Sequence, residues 1–411
     1  MGKRELLLIV AFVIVGTIVY QATAPPPGPD ERGFSLSRFL DAARREIRGR
    51  RASAEETFTA THDVSGDISE LRVVGPISEI EITGETRTDV ESSFHVRSNG
   101  FDDAEAKRLL KESKLVADRA ASAIILRAEF PRDGVQRGTL KVAVPSRMRV
   151  RIEPGSARFT LTNVAGAEIT STRGEATIRN VPGQVEIAHR GGDVVVDDVG
   201  SLRFSGRAGS LKVTNVHGNT TVRLEQGGDV TLAQLAGEVD LESRNADVTF
   251  EGLEATRGPI RVNANGGKVK MIGLKTEARV DTRNCELDVV MAAAAPVSLY
   301  TEGETVTLTP PANGYKLDAV AVDGEISPRD ALEKMGFQYS ATPDEKERRA
   351  FGAVKGGGPT ITIRATRGDF HMRTSDDKSD DKTGVEKKND ADKKPELEKR
   401  LIDRKTGAGS R

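Results

Sequence analysis

At 411 residues the chain is long enough for two domains, or for one elongated repeat domain with appendages. A net charge of −1 steers it neither to nucleic acid nor to acidic surfaces. With 41 glycines, no tryptophan and only 4 tyrosines, it fits a fold of tight turns and small stacked residues better than a large globular enzyme core. The lone Cys285 has no internal disulfide partner and says nothing about redox compartment.

The N-terminus reads Met-Gly-Lys-Arg-Glu, followed by an apolar run built from Leu6, Leu7, Leu8, Ile9, Val10, Phe12, Val13, Ile14, Val15, Ile18, Val19 and Tyr20 and extendable to Ala24. About 20 apolar residues span a bilayer. Ala22-Thr23-Ala24 resembles a cleavage site, but Pro25 just after it resists the peptidase, so residues 1–24 are expected to be an uncleaved transmembrane anchor. Lys3 and Arg4 favour a cytoplasmic N-terminus, and most of the competing arginines between Arg32 and Arg51 fall outside the short flank that counts. The bulk of the chain is then extracytoplasmic, periplasmic or at the cell surface. Residues 25–56 read as a stiff proline-rich linker, "APPPGPDERG", and a basic amphipathic helix over Ser35–Arg51. That helix suits either a seat on anionic headgroups or a solvated place beside the anchor.

Residues 57–146 read as a β-rich cap with one helix. "ISELRVVGPISEIEITG" gives two strands around Gly75-Pro76, and Val90–Val96 and Ala123–Phe130 continue the alternation. Asp102 or Asp103 is placed to cap a helix over Ala104–Ala117, with Ala106, Leu109, Leu110 and Val116 on its buried face. Repeat arrays need an atypical terminal unit to cover their first core layer, and this segment is placed to be one.

From Arg147 to Met291 one phrase recurs, as in "RGGDVVVDDVG" and "EQGGDVTLAQLAG". Its anchors are Arg158, Glu175, Asp193, Ser210, Asp229, Asp247, Lys268 and Glu286, at steps of 17, 18, 17, 19, 18, 21 and 18 residues. Positions one, three and six after each anchor are apolar, from Phe159/Leu161/Val164 to Val269/Met271/Leu274. The shift from three to six means that a turn re-aims the chain inward. Position five holds Asn163, Asn180, Asp198, Asn215, Gln234, Gly252 and Gly273, most of which tolerate a left-handed backbone. A second strand follows in each unit and points Ile169, Val185/Ile187, Leu202/Phe204, Val222/Leu224, Val239/Leu241, Ile260/Val262 and Val280 inward. The slot before each anchor is small: Ala157, Gly174, Gly192, Gly209, Gly228, Ala246, Gly267 and Cys285. Two strands and their corners in ~18 residues have a contour of at most ~60 Å, which encircles a narrow core. The expected fold is all-β: a single-stranded parallel β-helix, right-handed by the crossover rule, over residues 147–373. Glu168, Glu186, Arg203, Asp240, Arg261 and Arg279 should then form one outward row.

After Met291 the register blurs. "TEGETVTLTP" reads as a further coil, and residues 325–352 as a helical excursion. One helix starts at Ser327-Pro328 and ends at Gly336, and a second starts at Thr342-Pro343 and ends at Gly352. "GGGPTITIRATRGDFHMR" restores strands. Residues 374–411 carry 10 acidic and 11 basic side chains with few apolar ones, the composition of a disordered tail.

The repeated phrase, "VVGPISEIEITG", "VAVPS" and "GGGPTITIRATRGDF" together resemble the bacterial putative-adhesin family of β-strand-repeat proteins, over about Leu71–Met372. The resemblance implies an envelope-exposed, usually membrane-tethered parallel β-helix. It supplies no catalytic residues.

No catalytic constellation and no cofactor motif emerges. Asp193, Asp197 and Asp198 put carboxylates on one face and are the Ca²⁺ candidates, weighed against a solvated polar face whose equivalent positions include Arg158, Ser210 and Lys268. The five histidines (His62, His95, His189, His217, His371) lack ligand spacing and are expected on strand surfaces. Cys285 is expected as a packed thiol, and Arg367-Gly368-Asp369 coincides with the repeat phrase. The leading function is a non-enzymatic, membrane-tethered envelope protein, adhesin-like or scaffolding. Its partners would be the membrane and surface glycans or envelope proteins, with no nucleic acid. The alternatives are an envelope-stress sensor or partner module, and a β-helix polysaccharide lyase or hydrolase.

Overall fold

The computed structural model describes Phe12, Val15, Gly16 and residues 52–64, 67–120 and 122–373. The fold is all-β, with a 24-stranded sheet among these residues. In chain order it begins with β1 (Ala52–Asp63), β2 (Glu70–Val74), β3 (Glu79–Glu85), β4 (Asp89–Gly100), helix α1 (Asp103–Glu112), β5 (Lys114–Ala120), β6 (Ala123–Glu129) and β7 (Val135–Pro145). Then come β8 (Arg149–Ser156), β9 (Arg158–Thr162), β10 (Gly166–Arg173) and the long, cornered strands β11 (Ala176–His189), β12 (Val194–Val216), β13 (Thr220–Leu235), β14 (Val239–Glu251), β15 (Ile260–Leu274) and β16 (Ala278–Met291).

Through the repeats each unit, or rung, pairs in parallel with the next, at the offset the anchors set. Ile169 lies opposite Ile187, Ile187 opposite Phe204, and Phe204 opposite Val222. One inward row runs without a break: Leu126, Val73, Ile152, Ile169, Ile187, Phe204, Val222, Leu241, Val262, Val280, Leu299, Ile363 and Ala319. Each is at most 2% exposed, as are nearly all the inward positions that the alternation assigns. Burying one such side chain contributes roughly 1.5–3 kcal/mol. The position-five corner is left-handed after each of the first seven anchors, from Asn163 (φ 59°) through Asp198 (55°) and Gln234 (55°) to Gly273 (84°).

The two ends depart from chain order. Rung β6–β7 lies outermost, β2–β3 lies inside it, and β8–β9 follows. So the chain lays down its second rung before its first. The far end does the same. β17 (Val297–Glu302) and β18 (Val306–Thr309) continue the stack, β19 (Tyr315–Val322) and β20 (Ile326–Ser327) form the last rung, and β23 (Thr360–Thr366) and β24 (Phe370–Met372) slot between them. Antiparallel strands then cover the outer edges. β4 pairs with β7 and β1 with β4, β5 with β6, and at the other end β22 (Glu347–Val354) with β19 and β21 (Gln338–Ala341) with β22. Covering a last parallel strand this way satisfies backbone groups that would otherwise recruit another chain. The sheet is therefore mixed, which corrects the expectation of a purely parallel array.

Two helices differ from expectation. α1 starts as predicted, with the Asp102 carboxylate accepting from the Glu105 amide at 2.8 Å. It stops at Glu112, however, where Ser113 turns extended and its hydroxyl donates to the Leu109 carbonyl at 2.8 Å. Leu115 and Val116 then join β5, because pairing with β6 outweighs helix propensity. Helix α2 (Arg329–Lys334) follows Ser327-Pro328 and ends before Gly336 (φ 90°), as expected. The second expected helix, Thr342 to Gly352, is a tight turn and a strand. The Thr342 hydroxyl accepts from the Glu347 amide at 3.1 Å, Glu345 is left-handed (φ 54°), and β22 pairs along β19.

Among the described residues no helix is long and apolar enough to cross a membrane. The expected anchor lies outside them but for Phe12, Val15 and Gly16, and the linker, the basic helix and the charged tail lie outside them too.

The small slot before each anchor has a steric cause. A Cβ on Gly192 (φ 110°) would lie 2.0 Å from the Gly174 carbonyl oxygen of the preceding rung. Gly192→Ala is expected to destabilise by more than the ~1–3 kcal/mol of a strained backbone. Gly155→Ala (φ 80°, nothing within 4 Å) should show the strain alone. Urea melts measure both; equal melts for the two variants would contradict the close approach.

Candidate binding surface

The candidate carboxylates are spent on their neighbouring rung. Asp193 accepts from both the amide and the hydroxyl of Ser210, each at 2.9 Å. Asp197 accepts from the Thr214 hydroxyl and, at 2.9 Å, from the Asn215 amide. Asp198 lies 2.7 Å from His217 Nε2. The Thr214 hydrogen bond, helped by Asn215 and the charges of Arg179 and Lys212, holds the Asp197 carboxyl below its usual range against the effect of burial. Among the described residues no three His, Cys, Asp or Glu side chains stand close enough to hold a metal ion. The three aspartates do not converge; each ties one rung to the next.

The other singled-out residues find plain roles. Cys285 is fully buried, and burial pushes its thiol up to about 11, far from a nucleophile's range. Arg367 makes a left-handed corner (φ 54°), Gly368 packs under the Glu304 carbonyl, and Asp369 accepts from the Glu325 amide at 2.8 Å, so this tripeptide is a rung corner. His95 contacts Thr57, and His371 contacts Ser327 on the last rung. His189 is the exception to the surface expectation. It is 1% exposed, and neither ring nitrogen makes a hydrogen bond in good geometry, although the Gly191 and Gly174 backbones lie close by.

The outward rows are where recognition has room. The row expected from Glu168 to Arg279 is in register, with Thr221 filling its gap: Arg151, Glu168, Glu186, Arg203, Thr221, Asp240, Arg261, Arg279, Ser298 and Thr362. Two residues on along each strand lies a second outward row, Thr170, Ala188, Ser205, Arg223, Glu242, Asn263, Asp281, Tyr300 and Arg364. A third is Arg244, Asn265, Arg283, Glu302 and Thr366. Charges pair from rung to rung along these rows and on the first-strand wall, as in Arg151–Glu168 (3.2 Å), Arg158–Glu175 (2.9 Å), Lys268–Glu286 (3.0 Å) and Arg283–Glu302 (2.9 Å). Solvent screens such exposed pairs and they add little to stability, so the rows set surface pattern more than stability.

Between the second and third rows a shallow trough opens over β15, β16, β17 and β23. Its floor belongs to an inward row with an unusual polar share: His189, Gly206, Leu224, Ser243, Ala264, Thr282, Thr301 and Ala365. One cavity of about 570 Å³ opens over His189, Ser205 and Arg207, and another of about 460 Å³ over Thr282, Tyr300 and Thr301. The trough turns on a second left-handed corner at Asn245, Gly266, Asn284, Gly303, Arg367 and Asp323, which the sequence pattern did not reveal. At Asn245, Gly266, Asn284 and Gly303 its sequence mark is Asn or Gly two places before the anchor position, masked by the glycine pair, and Arg367 and Asp323 lack even that.

No family model and no curated protein matches the chain. Solved structures do match. A "putative cell adhesion protein" from Clostridium sporogenes ATCC 15579 is 11% identical, covering 78% of this chain and 99% of its own, with a TM-score of 0.20. A "putative lipid binding protein" from Parabacteroides distasonis ATCC 8503 is 9% identical, over 78% and 97%, with a TM-score of 0.23. A "putative adhesin" from Bacteroides fragilis NCTC 9343 is 10% identical, over 77% and 97%, with a TM-score of 0.21. Two of these three neighbours carry an adhesion or adhesin name. At these identities and scores the functional argument rests on this chain's own surface.

Burial holds His189 below its ordinary value of 6.5. The unfolded chain then binds the proton first, so stability should fall as pH drops below about 6.5 and towards the folded-state value. His62, also lowered by burial, adds the same sign. His189→Leu, matching Leu224 on the same row, should flatten part of that loss in urea melts at pH 5 and 8; an unchanged slope would contradict it.

Proposed function

We propose that this chain is a non-enzymatic, membrane-tethered envelope protein whose parallel β-helix, coiled right-handedly, displays rows of outward side chains for adhesion or scaffolding. The observation that carries the reading is the in-register outward row from Arg151 to Thr362, unbroken over successive rungs. Equivalent side chains stand ~4.8 Å apart on neighbouring rungs. A long face of repeated, shallow contacts favours many weak engagements, whose avidity multiplies without any deep pocket. The right-handed coil follows from the handedness of parallel crossovers. Tethering rests on the apolar run from Leu6 to Tyr20, with Lys3 and Arg4 on its cytoplasmic side and surface glycans or envelope proteins as partners on the other.

The test takes the full chain in envelope vesicles, washes them with alkaline carbonate, and probes the retained protein on an array of glycans and matrix proteins. Retention in the pellet and weak binding that strengthens with vesicle density are expected. Release by carbonate would overturn the tether. A blank array together with cleavage of a polysaccharide would overturn the non-enzymatic reading.

A further inference from the structure

We propose that the trough over β15, β16, β17 and β23 binds a neutral, linear oligosaccharide. This rests on the adhesion reading and names a ligand class and a place for it. The cavity there is about 460 Å³ and spans four rungs, with Asn263 at one end and Arg364 at the other.

Its charges cancel locally. Arg283 holds Glu302 at 2.9 Å, Arg364 holds Asp318 at 2.7 Å, and Arg279 holds Asp281 at 2.9 Å. Glu302 is also shared with Arg367 and Asp318 with Arg349, neither of which lines the cavity. The lining itself sets two arginines, Arg283 and Arg364, against two carboxylates, Asp281 and Glu302, so its own charges sum to zero and a neutral ligand is favoured. Its remaining polar chemistry is amide and hydroxyl. Asn263 and Asn265 face the trough from opposite walls, and each amide both donates and accepts. A sugar hydroxyl also does both, so one amide can meet neighbouring hydroxyls on a ring.

Tyr300 supplies the flat apolar element. It is half-buried in the second row, and the Arg279 guanidinium sits 5.1 Å from its ring centroid, which holds the ring in place. In a chain with 4 tyrosines and no tryptophan, its place in this trough is the outward row's one departure into aromatic chemistry. Beneath it the Thr301 side chain is 4% exposed, and its hydroxyl has no hydrogen-bond partner. Finally, the walls repeat every ~4.8 Å, close to the length of one sugar ring, so a linear chain can be met unit by unit.

The test is calorimetric titration of the full chain with neutral hexasaccharides of glucose, mannose, galactose and N-acetylglucosamine, and with a hexauronate. At least one neutral hexasaccharide should bind. Tyr300→Ala and the double variant Asn263→Ala/Asn265→Ala should each weaken it about tenfold or more, while Arg108→Ala on α1 leaves it unchanged. Thermal melts of each variant accompany the titrations. Should Tyr300→Ala fail to fold, the exposed asparagine pair carries the test. Wild-type affinity in the folded trough variants would overturn the site and leave adhesion standing. Preference for the hexauronate would overturn the neutral class. Binding of array proteins with no hexasaccharide bound would overturn this proposal alone, and a blank on both would overturn the adhesion reading with it.

Discussion

Parallel pairing between rungs is the constraint on which the rest of this structure depends. The backbone donors and acceptors of a rung's strands point at the rungs on either side, so no rung is stable alone. Equivalent residues are thereby forced to stack on one another. An inward position must be apolar in every rung, and a left-handed corner must recur at the same place. Where one rung's carbonyl presses on the next, as at Gly174 and Gly192, the slot has no room for a side chain. The same dependence makes both ends costly. The chain resolves this twice in one way: the outermost rung is laid down out of order, and an antiparallel strand seals its edge.

The outward surface inherits this regularity. Charges that alternation alone would scatter become neighbours, and several of them pair from rung to rung. The aspartates that looked like ligands from their spacing serve the stack instead, tied to Ser210, Thr214, Asn215 and His217 one rung on. What the stack does not use is its irregularity: the amides, the one outward tyrosine and the unmatched threonine of the trough. The proposed ligand contacts belong to those departures.

The sequence was informative wherever the physics is local and repeated. The inward positions, the position-five corner and the outward row from Glu168 to Arg279 could all be read from spacing, because each recurs rung after rung. The order of rungs at the ends could not. Placing β2 between β6 and β8 joins strands far apart in sequence, and nothing near Glu70–Val74 encodes that partner. Val116 and Arg348–Phe351 carry helical signals yet lie in strands for a related reason: local caps and periodicity suggest one turn after another, and pairing with a distant strand overrides them. The trough went unseen because its walls sit on two strand rows and its floor on a third. His189 was misplaced because the alternation does not say which inward slot can house a polar ring.

The most direct test of this account is the distance between spin labels placed along one outward row in a Cys285→Ala background. Glu168 and Asp240 are four rungs apart and Glu168 and Arg279 six. At ~4.8 Å per rung the label pairs should lie about 19 Å and about 29 Å apart, with narrow distributions. Separations that fail to grow with rung number, or broad distributions in the folded protein, would contradict the in-register stack on which the surface, the trough and the proposed function depend.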